Sequence, residues 1–163
     1  MRLSSATPSS KDKDAPPRLG DVLDFMRLLW AVDHGLQSMS KRMESKIGVT
    51  GPQRLVIRIV GRYPGISAGQ LAEILELHPS TLTGVLRRLQ ERGIVERRTD
   101  PKDGRRALFD LTARGKELDA MRVGTVEAVV RSTLKTLPRR KVEAAQEVLT
   151  ILASSLGPEP DEE

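Results

Sequence analysis

The chain has 163 residues, of which 38% are hydrophobic, 2% aromatic and 30% charged, a composition that suits one mainly α-helical domain and leaves no room for a second. The chain has no cysteine and two histidines, which excludes disulfides and thiolate metal sites, and no cofactor is expected. It shows neither a signal peptide nor a run near the ~20 apolar residues of a membrane span, so a cytoplasmic location is predicted. The net charge of +5 falls in residues 79–116, where ten Lys and Arg face five Asp and Glu, a pattern typical of a surface that meets polyphosphate but also of a solvated charged face.

The N-terminal half of the chain begins with a polar arm and continues into a long helix. Residues 1–18 are rich in Ser, Pro, Lys and Asp without an apolar period and are predicted to be disordered. From residue 20 to 48, apolar residues repeat at a spacing of three to four, which predicts an amphipathic helix. Met26 and Trp30 widen its apolar face beyond what one neighbour would cover, which predicts a helical partner from another subunit.

Three shorter helices are predicted next. Pro52 is placed to open the first, and Ser67 is a good N-cap for the second, which ends at Leu75. After a turn of about three residues, Pro79 and Ser80 start the third, and Gly93 ends it. Two short helices joined by a tight turn, the second with polar and basic residues outside, form a helix-turn-helix pattern.

A β-hairpin and two further helices complete the predicted domain. Residues 94–98 and 106–111 favour strands, and the loop between them contains Pro101 and Gly104, which make the reversal. Thr112 caps a helix predicted to run unbroken to Pro138, which opens a last helix ending at Leu156; residues 157–163 form an acidic tail. The expected architecture is mainly α with a small hairpin wing and about six helices: a winged helix-turn-helix at 50–112, and helices at 20–48 and 113–156 that form a dimerisation region, all in one domain at 19–156.

The third of the short helices carries the candidate readers of DNA. In a helix-turn-helix its first turns approach the base edges, while longer basic side chains reach guanine or phosphate. The predicted contacts are Ser80, Thr81, Thr83, Gly84, Arg87 and, to phosphate, Arg88. The plainer interpretation is that Ser80 only caps the helix and the arginines only aid solubility. Ser67 and Gln70 are placed to hold a phosphate at the positive end of the preceding helix, although a plain cap explains Ser67 equally well.

The hairpin carries the second set of candidate DNA contacts. Lys102, Arg105 and Arg106 put cations at or beside its tip, where a narrow, electronegative minor groove attracts them. Asp103 would meet phosphates of like charge, so we expect it to brace Arg105 two residues on through a charge-assisted contact that fixes the loop.

These residues carry a resemblance to a known family. Asp103-Gly104-Arg105, five further residues and Leu111-Thr112 resemble the D-x-R-x5-L-T wing pattern of the multiple-antibiotic-resistance regulator (MarR) family. Similar, too, are Leu71-Ala72, the run from Ser80 to Thr83, and Leu89 with Gly93-Ile94-Val95-x-Arg97. The resemblance covers residues 71–115 by motif and nearly the whole chain by helix order.

The resemblance implies an obligate homodimer whose terminal helices interleave and whose winged lobes face neighbouring major grooves of a pseudo-palindromic operator in double-stranded DNA. It further implies a transcriptional regulator, usually a repressor released by a small phenolic or anionic ligand bound between the dimer helices and the lobe. In this chain Trp30, His34 and Arg58 are the best candidates for that pocket. Packing for the Trp, a surface position for the His, and pairing of Arg58 with Asp33 or Glu44 are the simpler interpretations.

Two other classes of function compete with a regulator. The chain has no phosphate loop, nucleophile elbow, dinucleotide fingerprint or histidine pair at metal spacing, so an enzyme is not expected. The stronger rival is a winged-helix architectural or partner-binding protein that binds DNA with little sequence preference and answers no effector.

Overall fold

The structure is a computed structural model of the chain and describes residues 19–157; the predicted arm at 1–18 and the tail beyond Gly157 lie outside the described residues. The chain divides into two compact units, residues 1–36 and 37–163. In the described part, seven helices and three short strands follow one another, which confirms a mainly α-helical fold with a small hairpin. The elements are α1 Asp21–Ile47, α2 Gly51–Arg62, β1 Ile66–Ser67, α3 Ala68–Leu75, α4 Pro79–Glu91, β2 Val95–Thr99, β3 Ala107–Leu111, α5 Ala113–Ala120, α6 Val126–Lys135 and α7 Arg139–Leu156.

Among the described residues of the first unit, 21–36 form the N-terminal part of α1. None of residues 19–36 is buried. Val22 is 73% exposed and Trp30 62%, so the apolar stripe predicted from the sequence faces outward. An apolar stripe of this size in water is unfavourable for an isolated chain.

The core lies in the second unit, where α2, α3 and α4 pack with the sheet. Each helix presents one apolar face to it, as the spacing of three to four predicted. A buried side chain of β3, Phe109, closes the core from the side of the sheet. The fully or almost fully buried apolar residues of α2, α3 and α4 that are 3% exposed or less are Val56, Ile57, Val60, Leu71, Leu82, Leu86 and Leu89.

The sheet has three antiparallel strands in the order β1-β3-β2. The hairpin lies one residue further along the chain than predicted at the start of each strand, with Arg97 opposite Phe109. Its central strand, β3, also pairs with β1 through Ile66 and Phe109. β1 was not predicted, because a two-residue strand has no periodicity to detect.

The start of α5 is pinned to the end of α4. The Thr112 hydroxyl donates to the Gly93 carbonyl (2.7 Å) and accepts from the Gly115 backbone N–H (3.1 Å), which makes Thr112 the predicted N-cap. A Cβ on Gly115 would lie 2.1 Å from the Ile94 carbonyl oxygen, so only glycine permits this approach. The wing and α5 are thereby fixed to the helix-turn-helix.

The single helix predicted from Thr112 to Pro138 is wrong. It breaks after Ala120, because Met121 is extended (ψ 136°) and Gly124 is left-handed (φ +75°), and α6 begins afresh at Val126. This break accounts for the seventh helix. At this break Arg54 of α2, which is 1% exposed, donates to the carbonyl oxygens of Leu118 and Met121. This contact, more than 60 residues away in sequence, leaves no local signal, whereas Gly124 is a local signal for the break that the prediction did not use.

None of the helices in residues 19–157 is long and apolar enough to span a bilayer. In the same residues no three His, Cys, Asp or Glu side chains are grouped as a metal site would need.

Candidate nucleic-acid interface

The first turn of α4 is held by a residue that the sequence analysis did not assign. His78 is the N-cap: its Nδ1 accepts the backbone N–H of Ser80 (3.3 Å) and lies 2.7 Å from the Ser80 hydroxyl. Pro79 occupies the first helical position, which suits proline because no hydrogen bond is lost there. A proline at that position places the cap one residue earlier, so the signal for His78 was present in the sequence.

The outer face of α4 carries the predicted readers. Leu82, Leu86 and Leu89 face the core and Val85 packs against it, so the polar residues of α4 lie on the outer face. Gly84 is half-buried, and a Cβ built there would meet nothing within 4 Å, which leaves open space in front of it. The exposed members of this face are Ser80, Thr81, Thr83, Arg87 and Arg88.

Two of these side chains already have partners within α4. The Thr83 hydroxyl donates to the Pro79 carbonyl (2.8 Å), so its methyl group and the acceptor capacity of its oxygen remain for a base edge. Arg87 lies 3.7 Å from Glu91, with side chains 72% and 65% exposed. A pair this open contributes little, so Arg87 is free to leave Glu91 for a phosphate or a base.

The wing tip consists of two successive tight turns. The Asp100 carbonyl accepts the Asp103 N–H (3.2 Å), and the Asp103 carbonyl accepts the Arg106 N–H (2.9 Å). Each aspartate carboxylate also binds the amide two residues on: Asp100 that of Lys102 (2.8 Å) and Asp103 that of Arg105 (3.0 Å). Asp103 therefore braces Arg105 as predicted, although through the main chain, and the Arg105 guanidinium stays exposed.

Arg106 differs from the other wing cations because it turns back toward α3. Its guanidinium donates to the Ser67 hydroxyl (3.1 Å). Ser67 is 5% exposed and forms a capping box with Gln70 at the start of α3. Because its hydroxyl is bound by Arg106 and by Gln70, Ser67 has the capping role that was the alternative to phosphate binding. Gln70 is exposed, and its contact with a phosphate stays a prediction.

The residues predicted to hold a ligand lie in different units. Trp30 and His34 are one turn apart on the exposed part of α1. Arg58 belongs to α2, where it binds the Asp119 carboxylate at 2.6 Å and lies 3.9 Å from Glu127. Asp119 and Glu127, the acidic partners of Arg58 in these contacts, follow the wing in the sequence. The partners suggested from the sequence were instead Asp33 and Glu44 of α1.

Known proteins resemble this chain in sequence and in fold. Residues 47–106 match the model described as MarR family. The chain is 31% identical over 139 residues to the HTH-type transcriptional repressor Rv2887 of Mycobacterium tuberculosis, covering 85% of this chain and 97% of the relative. It superposes on Streptomyces coelicolor Sco3205, a MarR family transcriptional regulator solved in complex with DNA, with a TM-score of 0.70, 22% identity and coverage of 90% and 95% of the two chains.

A further structural match is the PcaV transcriptional regulator from Streptomyces coelicolor, solved in complex with its natural ligand. The TM-score is 0.66 at 24% identity, with 80% of this chain and 92% of that chain covered.

Proposed function

Because this chain belongs to the MarR family of transcriptional regulators, we propose that it is a homodimeric repressor which binds a specific pseudo-palindromic operator and is released by a small ligand. Members of this family bind DNA and are not enzymes. The observation that carries the proposal is the common exposure of the α4 readers and of Lys102 and Arg105. The α4 readers and these two wing cations lie in residues 79–116, the segment that holds the whole net positive charge of the chain.

The proposed dimer rests on apolar surface that the single chain leaves uncovered. On α1, Val22 and Trp30 are mostly exposed, and no residue of α6 or α7 is buried. Apolar surface on this scale is expected to be covered by a second copy. The exposed apolar residues of the C-terminal helices are Val129, Val130, Leu134, Val148, Leu149, Ile151 and Leu156.

The dimer sets the geometry of the operator. Two lobes related by a two-fold axis meet the same face of DNA when their half-sites lie about one helical turn, roughly 10 base pairs, apart. We expect α4 to enter the major groove and Arg105 the adjacent minor groove. Since the target is genomic DNA, the proposal includes a cytoplasmic location.

For the effector, we propose a small phenolic or anionic compound that uses Trp30, His34 and Arg58. An aromatic ring and an imidazole one turn apart suit a planar ligand, and a guanidinium suits a carboxylate or phenolate. PcaV, whose fold is shared, was solved with its natural ligand. A ligand at Arg58 would compete with Asp119 and Glu127, its present partners.

Binding to selected and random DNA tests the proposal against the architectural alternative. Fragments selected from the host genome and scrambled fragments of equal length are titrated at one salt concentration, because phosphate contacts make affinity depend on salt. The proposal expects at least ~10³-fold tighter binding to the selected sites. A ratio near one would support a winged-helix protein of low specificity and overturn the repressor.

A further inference from the structure

We infer that Arg54, which lies on α2 and away from the proposed DNA surface, is a positioning residue for operator recognition: it holds the break between α5 and α6 and so sets the half-site spacing that the dimer accepts. The inference rests on the proposed function, since spacing has a meaning only for a dimeric DNA-binding protein. It concerns a residue that neither reads bases nor binds the effector in that proposal.

Arg54 replaces the missing next turn of α5. The last carbonyls of a helix have no intrahelical donor and carry partial negative charge. Arg54 donates to the carbonyls of Leu118 and Met121, the latter at 2.8 Å. Its Nε donates to the Glu127 carboxylate of α6 at 2.7 Å. The Arg54 guanidinium therefore binds both the end of α5, where Arg122 also donates to the Met121 carbonyl (3.1 Å), and the first turn of α6.

An unbroken helix would need the same carbonyl groups. In a continuous α-helix the Leu118 carbonyl accepts from the amide of Arg122, and that of Met121 from Thr125. Leu118 and Met121 are three residues apart and Val126 and Val130 four, as on one face of such a helix, whereas five residues separate Met121 from Val126 across the break. The broken and unbroken forms thus compete for these acceptors, and Arg54 favours the broken one.

The first turn of α6 also determines where the C-terminal helices lie. Among the described residues, none of α6 or α7 is buried, so these helices have no core of their own. Glu127 binds Arg54 and lies 3.9 Å from Arg58, and Arg58 binds Asp119 at the end of α5. In the proposed dimer α6 and α7 help to connect the subunits. A change at the joint between α5 and α6, residues 121–125, therefore moves one DNA-reading lobe relative to the other.

Burial makes the joint a defined structure. A side chain 1% exposed cannot keep a charge without partners, and loss of one partner of a buried ion pair is strongly destabilising. The joint is therefore either held by Arg54 or rearranged, and intermediate forms are disfavoured. A rearranged joint can form a continuous helix, because the backbone carbonyl groups that accept its hydrogen bonds are then free.

The test uses full-length protein in three forms besides the parent. Arg54→Met keeps the volume and removes the donors; Glu127→Gln keeps the shape and removes the charge. Glu143→Gln is the matched control, because Glu143 forms an exposed i,i+4 pair with Arg139 on α7 at 2.7 Å. Each form is titrated with operators whose half-site separation is varied one base pair at a time, and its solution mass is measured.

We expect the parent and Glu143→Gln to share one sharp optimum of separation, near ~10 base pairs. Arg54→Met and Glu127→Gln should remain dimers. Their optimal separation should shift by about one base pair, or their affinities for operators of neighbouring separation should differ by no more than about threefold. Amide hydrogen exchange at residues 122–125 should slow by ~10-fold in Arg54→Met, because the carbonyl acceptors are released and the helix becomes continuous, whereas plain destabilisation would speed exchange throughout the chain.

Dimeric variants that keep the parental optimum and the parental exchange at 122–125 would overturn this inference alone. A parent without operator preference, or with a monomeric mass, would overturn the proposed function and this inference with it. If Arg54→Met does not fold, Glu127→Gln decides the outcome, since its amide keeps hydrogen-bonding capacity.

Discussion

The Arg106 guanidinium and the Ser67 hydroxyl are joined by a hydrogen bond of 3.1 Å that ties the wing to the start of α3. The main chain supports the same connection, because Ser67 pairs with Leu108 of β3. Through the capping box, Ser67 is also bound to Gln70. The wing and the helix-turn-helix are therefore linked by side chains as well as by strand pairing.

This linkage predicts that Ser67 and Arg106 act together in DNA binding. In a double-mutant cycle, Ser67→Ala and Arg106→Ala should be non-additive in operator affinity by ~0.5–1 kcal/mol, since either change breaks the same bond. Ser67→Ala and Arg105→Ala should add, because the Arg105 side chain does not contact Ser67. Dissociation constants from fluorescence anisotropy measure both cycles. Additivity in the first would mean that Arg106 contacts DNA independently of Ser67.

Arg105 and Thr81 are predicted to have different roles on DNA. Arg105→Ala should weaken binding to all operators and lower the slope of log Kd against log salt by ~0.9 for each phosphate that the arginine neutralises. Thr81→Ala should change base preference at one position more than it changes affinity. Arg139→Ala, which removes an equally charged, 90% exposed side chain from α7, is the control for net charge. Parental affinity in Arg105→Ala would contradict the assignment of the wing.

Gly84 is predicted to favour DNA binding at the expense of helix stability. In the free protein an added Cβ meets nothing within 4 Å, so Gly84→Ala should stabilise folding by ~0.5–1 kcal/mol through the helical preference of alanine. If DNA approaches this face closely, the same change should weaken operator binding. Urea unfolding and operator titration together measure the two opposite effects. A variant that is more stable and binds like the parent would place the DNA away from Gly84.

Local sequence signals predicted the DNA-binding part of the molecule better than the joint behind it. Ser67 and Thr112 were recognised as caps because their partners lie three residues away, and Asp103 because it acts within one turn. The end of α5 depends instead on Arg54, a residue far away in sequence whose role appears only after folding. Gly124 and these tertiary contacts both lie at the break in the helix that was predicted to run from Thr112 to Pro138.

The same joint predicts how stability depends on pH. Burial raises the pKa of the Glu127 carboxyl, but hydrogen bonds from Arg54 and the backbone, together with the Arg54 charge, outweigh this, so its pKa lies below the ordinary value of 4.5. A carboxyl with a lowered pKa in the folded state stabilises folding above its unfolded-state pKa, and this contribution is lost as the pH falls through the folded-state pKa. Glu127→Gln should therefore destabilise the protein at pH 7 and lose less of its stability than the parent below about pH 4.5.

Urea unfolding at pH 7 and at several values below 4.5 measures this difference, with Glu143→Gln as the control. Glu143 also pairs with an arginine, but with side chains 90% and 57% exposed its pair is screened by water. We expect its pH dependence to match that of the parent. If Glu127→Gln and the parent lost stability in parallel on acidification, the carboxylate of Glu127 would not be charged and bound to Arg54 in the folded protein, and the joint would have to be held by the carbonyl contacts of Arg54 and by the pair between Arg58 and Asp119.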